Sequence, residues 1–284
     1  MNKWNLIVDV ALCENCQNCA LAAKDEHVGN DFPTYSAPHA ALGNSVVKID
    51  RKVRGSGSMV DAAYLPRMCN HCDDAPCLKA GADGSVRKRD DGIVIIDPVK
   101  AKGRRDLVDA CPYRAIVWNE EQQLPQLWIF DAHLLDQGWS APRCVQVCPT
   151  SAIEAVKTSD ESMAQRVASE RLTVLRPELQ TRPRLYYRNL YRYTHCFIGG
   201  AVAAVMNGQS ECLEAADVSL RRAGSIVARL STDGFGEFRF DGLPANSGDY
   251  EIEITHSVYG QALLRATLDD ESLNLGEIRL GVST

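Results

Sequence analysis

Two features of the 284-residue sequence predict an α+β chain built of unlike parts. The first is its cysteines. There are eleven, and nine of them stand before residue 150 at short spacings. An odd count argues against a simple disulfide framework, and close clustering reads as metal ligation in a reduced compartment. The second is a change of pattern near residue 195. From there apolar and polar residues alternate with period 2, and the turn signals "DGFG", "DGLP" and "NSGD" recur. Short antiparallel strands in a sandwich or barrel follow from that. The expected organisation is a cluster-binding domain over 1–150, a helix and extended connecting arm over 151–194, and a β-sandwich over 195–284.

The elements can be taken in order. "NLIVDV" and "GIVIID" are short β-rich runs, each leading into a cysteine loop, so the first 150 residues read as an internal repeat. Residues 13–27, CENCQNCALAAKDEH, place Cys13, Cys16 and Cys19 at C-x2-C-x2-C spacing. That spacing opens a bacterial ferredoxin cluster motif, which usually closes with C-x3-C, and the closing position here is Ala23. "CNHCDDAPC" supplies a second triplet, Cys69, Cys72 and Cys77, with Gly81 where a fourth cysteine would stand. Two isolated Cys-Pro pairs follow, Cys111-Pro112 and Cys148-Pro149. A Cys-Pro ends ferredoxin motifs, and in two-cluster ferredoxins that last cysteine ligates the other motif's cluster. Two triplets and two closers thus make two four-thiolate sets, within tandem bacterial-ferredoxin-like modules. Zinc is the rival ligand, but it prefers two well-separated pairs, whereas three thiolates within seven residues suit a cubane. His71, inside the second motif, reads as a residue that supports the ligands from behind or faces solvent, rather than as a ligand itself.

The run "DFPTYSAPHAALGNSVVKIDRKVRGSGSM" is rich in Gly, Pro and Ser and reads as an inserted surface excursion. Residues 159–171 predict one helix with Ser159 as its N-cap and acidic residues at its start. "LRPELQTRPRLYYRNLYRY", with two prolines, predicts an extended arm. Cys196 and Cys212, in the β-rich part, read as ordinary buried thiols. No glycine-rich nucleotide loop and no nucleophile–base pair stands out, so no catalytic residue is expected.

A formal net charge of −6 disfavours a nucleic-acid surface. The longest apolar run, near "CFIGGAVAAVM", is too short to span a membrane, and the N-terminus lacks a signal-peptide pattern. The chain is expected in the cytoplasm.

The four cysteine groups resemble the iron-sulfur subunits that accompany molybdopterin oxidoreductases of the dimethyl-sulfoxide-reductase family. In that family groups one and four build one module, and groups two and three the other. The resemblance therefore implies one [4Fe-4S] cluster on Cys13, Cys16, Cys19 and Cys148, and a second on Cys69, Cys72, Cys77 and Cys111. It also implies two losses. Gly81, Ala101, Arg104 and Leu107 stand where the family has the ligands of one further cluster. Ala23, Ile129 and Ala132 stand at three of the four ligand positions of another, of which Cys144 remains. Cys144 is accordingly expected to be a non-ligand thiol.

Longer runs, among them "DGIVIIDPVKAKGRRDLVDACPY", "VWNEEQQ", "HLLD" and "RPELQTRPRLYYRNLYRY", resemble the small subunits of the pyrogallol–phloroglucinol transhydroxylase type. "TDGFGEFRFDGLP" with "DYEIEI" resembles a transthyretin- or carboxypeptidase-regulatory-like sandwich, a docking or stabilising module. These resemblances imply a partner: a large catalytic subunit holding molybdenum with two pyranopterin guanine dinucleotides, acting on polyhydroxylated aromatic rings. A higher oligomer of heterodimers is a further possibility they leave open. Three functions follow from them: the cluster subunit of an aromatic hydroxylase or transhydroxylase, the electron-transfer subunit of another molybdopterin enzyme, or a structural subunit whose clusters hold the fold.

Overall fold

A computed structural model of the chain describes residues 1–43, 45–206 and 208–281. Its contacts divide it into two units. One comprises Met1–Arg51 with Tyr64–Leu190, and the other Lys52–Ala63 with Tyr191–Thr284.

The first unit is organised on strand Lys3–Asp9, where Leu6, Ile7 and Val8 are buried in succession. A continuous apolar run of this kind suits a strand covered on both faces. Ile153–Thr158 pairs with it antiparallel on one side, and Leu185–Arg188 parallel on the other. The expected connecting arm is thus partly a sheet strand. Pro177 and Pro183 interrupt the chain before it, but Leu185 and Tyr187 then alternate inward with half-buried Tyr186 and Arg188. The expected helix runs Asp160–Glu170, and the Ser162 N–H donates to the Ser159 hydroxyl at 3.2 Å. Met163 on that helix packs against Ile7 and Leu172.

Two small hairpins complete the unit, Val86–Lys88 with Val94–Ile96 and Val117–Asn119 with Leu124–Gln126. The expected surface excursion is in large part a hairpin, Lys48–Ser56 with Met59–Arg67. The Gly-Ser tract that reads as loop is its tip. Gly55 has φ +79°, and a Cβ there would stand 2.2 Å from the Met59 carbonyl oxygen, so only glycine fits.

The second unit holds two four-stranded sheets. In one, Cys196–Met206 is flanked by Gln209–Cys212, Glu237–Leu243 and Leu273–Leu280. The other has the order Ser225–Ser231, Asp217–Arg222, Gly248–His256, Gly260–Leu268. Ile198, Val202, Phe238 and Ile278 of the first share one core with Val218, Leu220, Ile252 and Ile254 of the second. The tip of the Lys48–Arg67 hairpin belongs here. Arg54, fully buried as a side chain, bonds Asp241 at 2.8 Å and also Asp61. Cys196 is buried as expected, but Cys212 lies exposed on an exposed strand. Among the described residues no helix is long and apolar enough to cross a membrane.

Candidate cluster sites

The two triplet loops share a backbone design. In each, the second residue after the first cysteine is in the left-handed region, Asn15 at φ 58° and His71 at φ 44°. That turns the residue's N–H back onto the first thiol: His71 N donates to Cys69 Sγ at 3.4 Å, and Asn15 N–H does the same for Cys13. The third cysteine of each triplet is then the second residue of a helix. Cys19 opens Asn18–His27, and Cys77 opens Pro76–Ala80 behind Pro76 at the first position. Amides at a helix start favour a thiolate.

The two closers repeat one another as well. Short helices Asp106–Asp109 and Arg143–Gln146 each end two residues before a Cys-Pro. Cys111 N–H reaches the Val108 carbonyl at 3.4 Å, and Cys148 N–H reaches Val145 at 3.4 Å. Three residues beyond each cysteine the chain is again left-handed, Arg114 at φ 52° and Ser151 at φ 55°. The N–H groups of these two residues donate to the carbonyls of their respective cysteines.

These loops bring the thiols together in two sets. The charges of Cys13, Cys16 and Cys148 all bear on Cys19. Those of Cys77, Cys111 and Cys72 bear on Cys69. Asn18 Nδ2 donates to the Val147 carbonyl at 3.3 Å, tying the first triplet's helix to its closing turn. In the second set Tyr113 and Thr181 share a hydrogen bond of 2.6 Å, and Thr181 bonds the Cys72 thiol.

Burial pushes the Cys19 and Cys72 thiols up to about 11 and Cys77 to about 12, with neighbouring thiols adding to each rise. Cys69 is driven up more strongly by the same causes. The buried thiols Cys69, Cys72 and Cys77, each raised further by neighbouring thiols, need cationic metal to ionise together, and iron would displace those protons. Among the described residues no three His, Cys, Asp or Glu side chains converge on a single-ion position. Four thiols whose charges are coupled have the donor chemistry of a cubane. The residues present fit a [4Fe-4S] group in both places.

The positions read as lost ligands are filled by protein. A Cβ on Gly81 would meet Val86 Cγ2 at 2.4 Å, and Ala101 and Leu107 are completely buried. Arg104 is committed to Asp83, Asp106 and the Ala80 carbonyl. Ala23, Ile129 and Ala132 are buried likewise. Cys144 is buried, and the Asp131 carboxylate is, after burial, the largest influence raising its thiol. Asp131 lies 3.7 Å from His27, which stacks on His39.

Sequence reasoning missed the surroundings of the second set. Of the two expectations for His71, the structure has it buried behind the loop and not facing solvent. Its Nδ1 accepts the Val94 N–H at 3.0 Å, and burial lowers the imidazole to about 3, so it is neutral. Lys88 donates to three loop carbonyls, and Thr181 reaches Cys72 from more than a hundred residues away. None of these carries a sequence signal, because each contact depends on the tertiary fold.

Comparison with known proteins shows the family. A 4Fe-4S dicluster domain family matches residues 60–158. The pyrogallol hydroxytransferase small subunit of Pelobacter acidigallici is 40% identical over 99% of this chain and 100% of its own. The chain is an iron-sulfur small subunit of the molybdoenzyme family. A tetrathionate reductase subunit from Salmonella typhimurium is 30% identical over 66% of this chain and 73% of that protein. A putative iron-sulfur subunit of dimethyl sulfoxide reductase from Halobacterium salinarum is 28% identical over 80% of this chain and 93% of its own. Of these three relatives, the hydroxytransferase subunit is the one that spans the β-rich second unit at full length.

Proposed function

We propose that this chain is the cluster-carrying subunit of a two-subunit molybdenum enzyme that hydroxylates or transhydroxylates polyhydroxylated aromatic compounds. The observation that carries the reading is the end-to-end match to the pyrogallol hydroxytransferase small subunit. In this reading the fold is a pair of ferredoxin-like modules followed by a β-sandwich that docks or stabilises. Cys13, Cys16, Cys19 and Cys148 hold one [4Fe-4S] cluster, and Cys69, Cys72, Cys77 and Cys111 hold the other. When bound, such clusters supply one-electron transfer. The chain's own residues give them N–H···S bonds, from His71 to Cys69 and from Ala115 to Cys111 among others, and their thiolates carry no proton while iron is held. The partner is a large subunit with molybdenum and two pyranopterin guanine dinucleotides, and the site of action is the cytoplasm.

The packed ground at the lost ligand positions supports a reaction with little net electron flow through this subunit. Transhydroxylation meets that condition, since one ring gains a hydroxyl while a co-substrate loses one. Electron transfer for another molybdopterin oxidoreductase is the second reading, favoured by the matches to the tetrathionate and dimethyl sulfoxide reductase subunits. Purification with the native large subunit, molybdenum analysis and an assay on a trihydroxybenzene test the first reading. Rapid-freeze paramagnetic resonance during turnover tests the electron flow. If the Cys111-completed cluster is reduced and reoxidised at the catalytic rate in an isolated heterodimer, electrons are exported and the reading of little net flow through this subunit fails.

A further inference from the structure

Lys88 ends the short strand Val86–Lys88 and reaches back over the second triplet loop. Its Nζ donates to the carbonyls of His71 at 2.8 Å, Cys72 at 2.9 Å and Gly92 at 2.9 Å, and pairs with Asp73 at 3.0 Å. An ammonium has three protons to give, and these partners account for them, so the charge is held in place. It bears on both the Cys69 and Cys72 thiols. Behind it the charges alternate. Arg184 donates to Asp73 at 2.6 Å and to Asp160 at 2.9 Å. The Lys88 cation is the member of this series that bears on Cys72. In the first set, by contrast, the charges acting most on Cys13 are Cys148, Cys16 and Glu14.

We propose that Lys88 is a positioning residue that sets the reduction potential of the cluster held by Cys69, Cys72, Cys77 and Cys111. Reduction adds one electron and no proton to the cluster, making it more negative by one charge. A cation fixed against the loop stabilises the reduced form and raises the potential, as local charge does for iron-sulfur centres generally. Asp73 works in the opposite sense by partly neutralising that cation. The inference rests on the proposed ligand set. Iron content of the unaltered heterodimer tests that set, and potentials test Lys88, so the two can fail separately.

The experiment is a redox titration of the purified holo-heterodimer, with dithionite as reductant and paramagnetic resonance as readout, alongside iron analysis. Lys88→Met is expected to keep its iron and to shift this cluster to lower potential, leaving the cluster of Cys13 where it was. Lys88→Arg is expected to restore most of the shift. Asp73→Asn is expected to move the same cluster upward, a sign that a merely structural role does not produce. Unchanged potentials in Lys88→Met with full iron would overturn the proposal. If Lys88→Met loses iron, Asp73→Asn decides, and a potential there that fails to rise overturns it.

Discussion

Cys144 offers the sharpest test of how ligands are assigned. It stands in helix Arg143–Gln146 four residues before Cys148, and Leu107 stands in helix Asp106–Asp109 four residues before Cys111. Leu107 is 0% exposed and Cys144 is 2% exposed. The twin module thus uses this position for a core side chain, and Cys144 is expected to serve as one. Cys144→Ala removes one buried sulfur, a loss comparable to a methyl group at about 1 kcal/mol. Cys144→Ser is expected to cost more, about 1–3 kcal/mol, because a hydroxyl is placed where water does not reach. Neither should change the metal content, expected at about eight iron and eight sulfide per chain for two cubanes. Cys148→Ser, four residues on, should lose about half of both, since a cubane's fourth thiolate is gone. Iron and acid-labile sulfide are measured on anaerobically prepared protein, and stability from urea midpoints. Loss of half the iron in Cys144→Ala, with a urea midpoint near wild type, would refute the assignment.

Three further outcomes are expected. Gly81→Cys should not rebuild a third cluster: its Cβ would lie 2.4 Å from Val86 Cγ2, and overpacking of that kind costs about 1–3 kcal/mol; paramagnetic resonance spin counting and urea midpoints check both parts. Arg54→Met should destabilise the β-rich unit by about 3 kcal/mol, because Asp61 and Asp241 lose a buried partner; thermal unfolding of the unit reads it. Hydrogen bonds from Lys3 and then Arg184 hold Asp160 down at about 2, against an ordinary 3.8. A depressed carboxylate contributes stability that is present above its unfolded value and is lost as pH falls through the folded one. Asp160 is more than half exposed, so the term is below about 1 kcal/mol, and Asp160→Asn should flatten the acid limb between about pH 4 and pH 2 in a stability-versus-pH series.

Local signals made part of the fold legible. The apolar run at Leu6–Val8 and the Ser159 cap act within a few residues, and the structure has the strand and the helix where they point. What escaped was long-range pairing. Leu185–Arg188 reads as an arm from its flanking prolines, yet it joins Lys3–Asp9 in parallel across nearly the whole unit. The Lys48–Arg67 hairpin reads as loop because its Gly-Ser tip dominates the composition. The sequence also holds no hint that residues 52–63 pack with a unit that otherwise begins at Tyr191. A cut after about residue 194 would therefore strand Arg54 without Asp241, so truncation is a poorer probe of the β-rich unit than Arg54→Met.

At the candidate sites the sequence is informative about thiols and nearly silent about everything that acts on them. Cysteine spacing is a covalent constraint, so eight thiols can be read directly, and the left-handed turns at Asn15, His71, Arg114 and Ser151 then arrange them in matching loops. Whether a vacated ligand position leaves room is a packing question. Gly81 illustrates it: the letter alone records a missing cysteine, while the 2.4 Å approach of Val86 records that the space has closed. Arg104 makes the same point through charge, since Asp83 and Asp106 hold a guanidinium at a position that the resemblance assigns to a thiolate. With buried alanine and leucine at Ala101 and Leu107, and an ion pair at the surface on Arg104, restoring a single cysteine is not expected to restore a cluster.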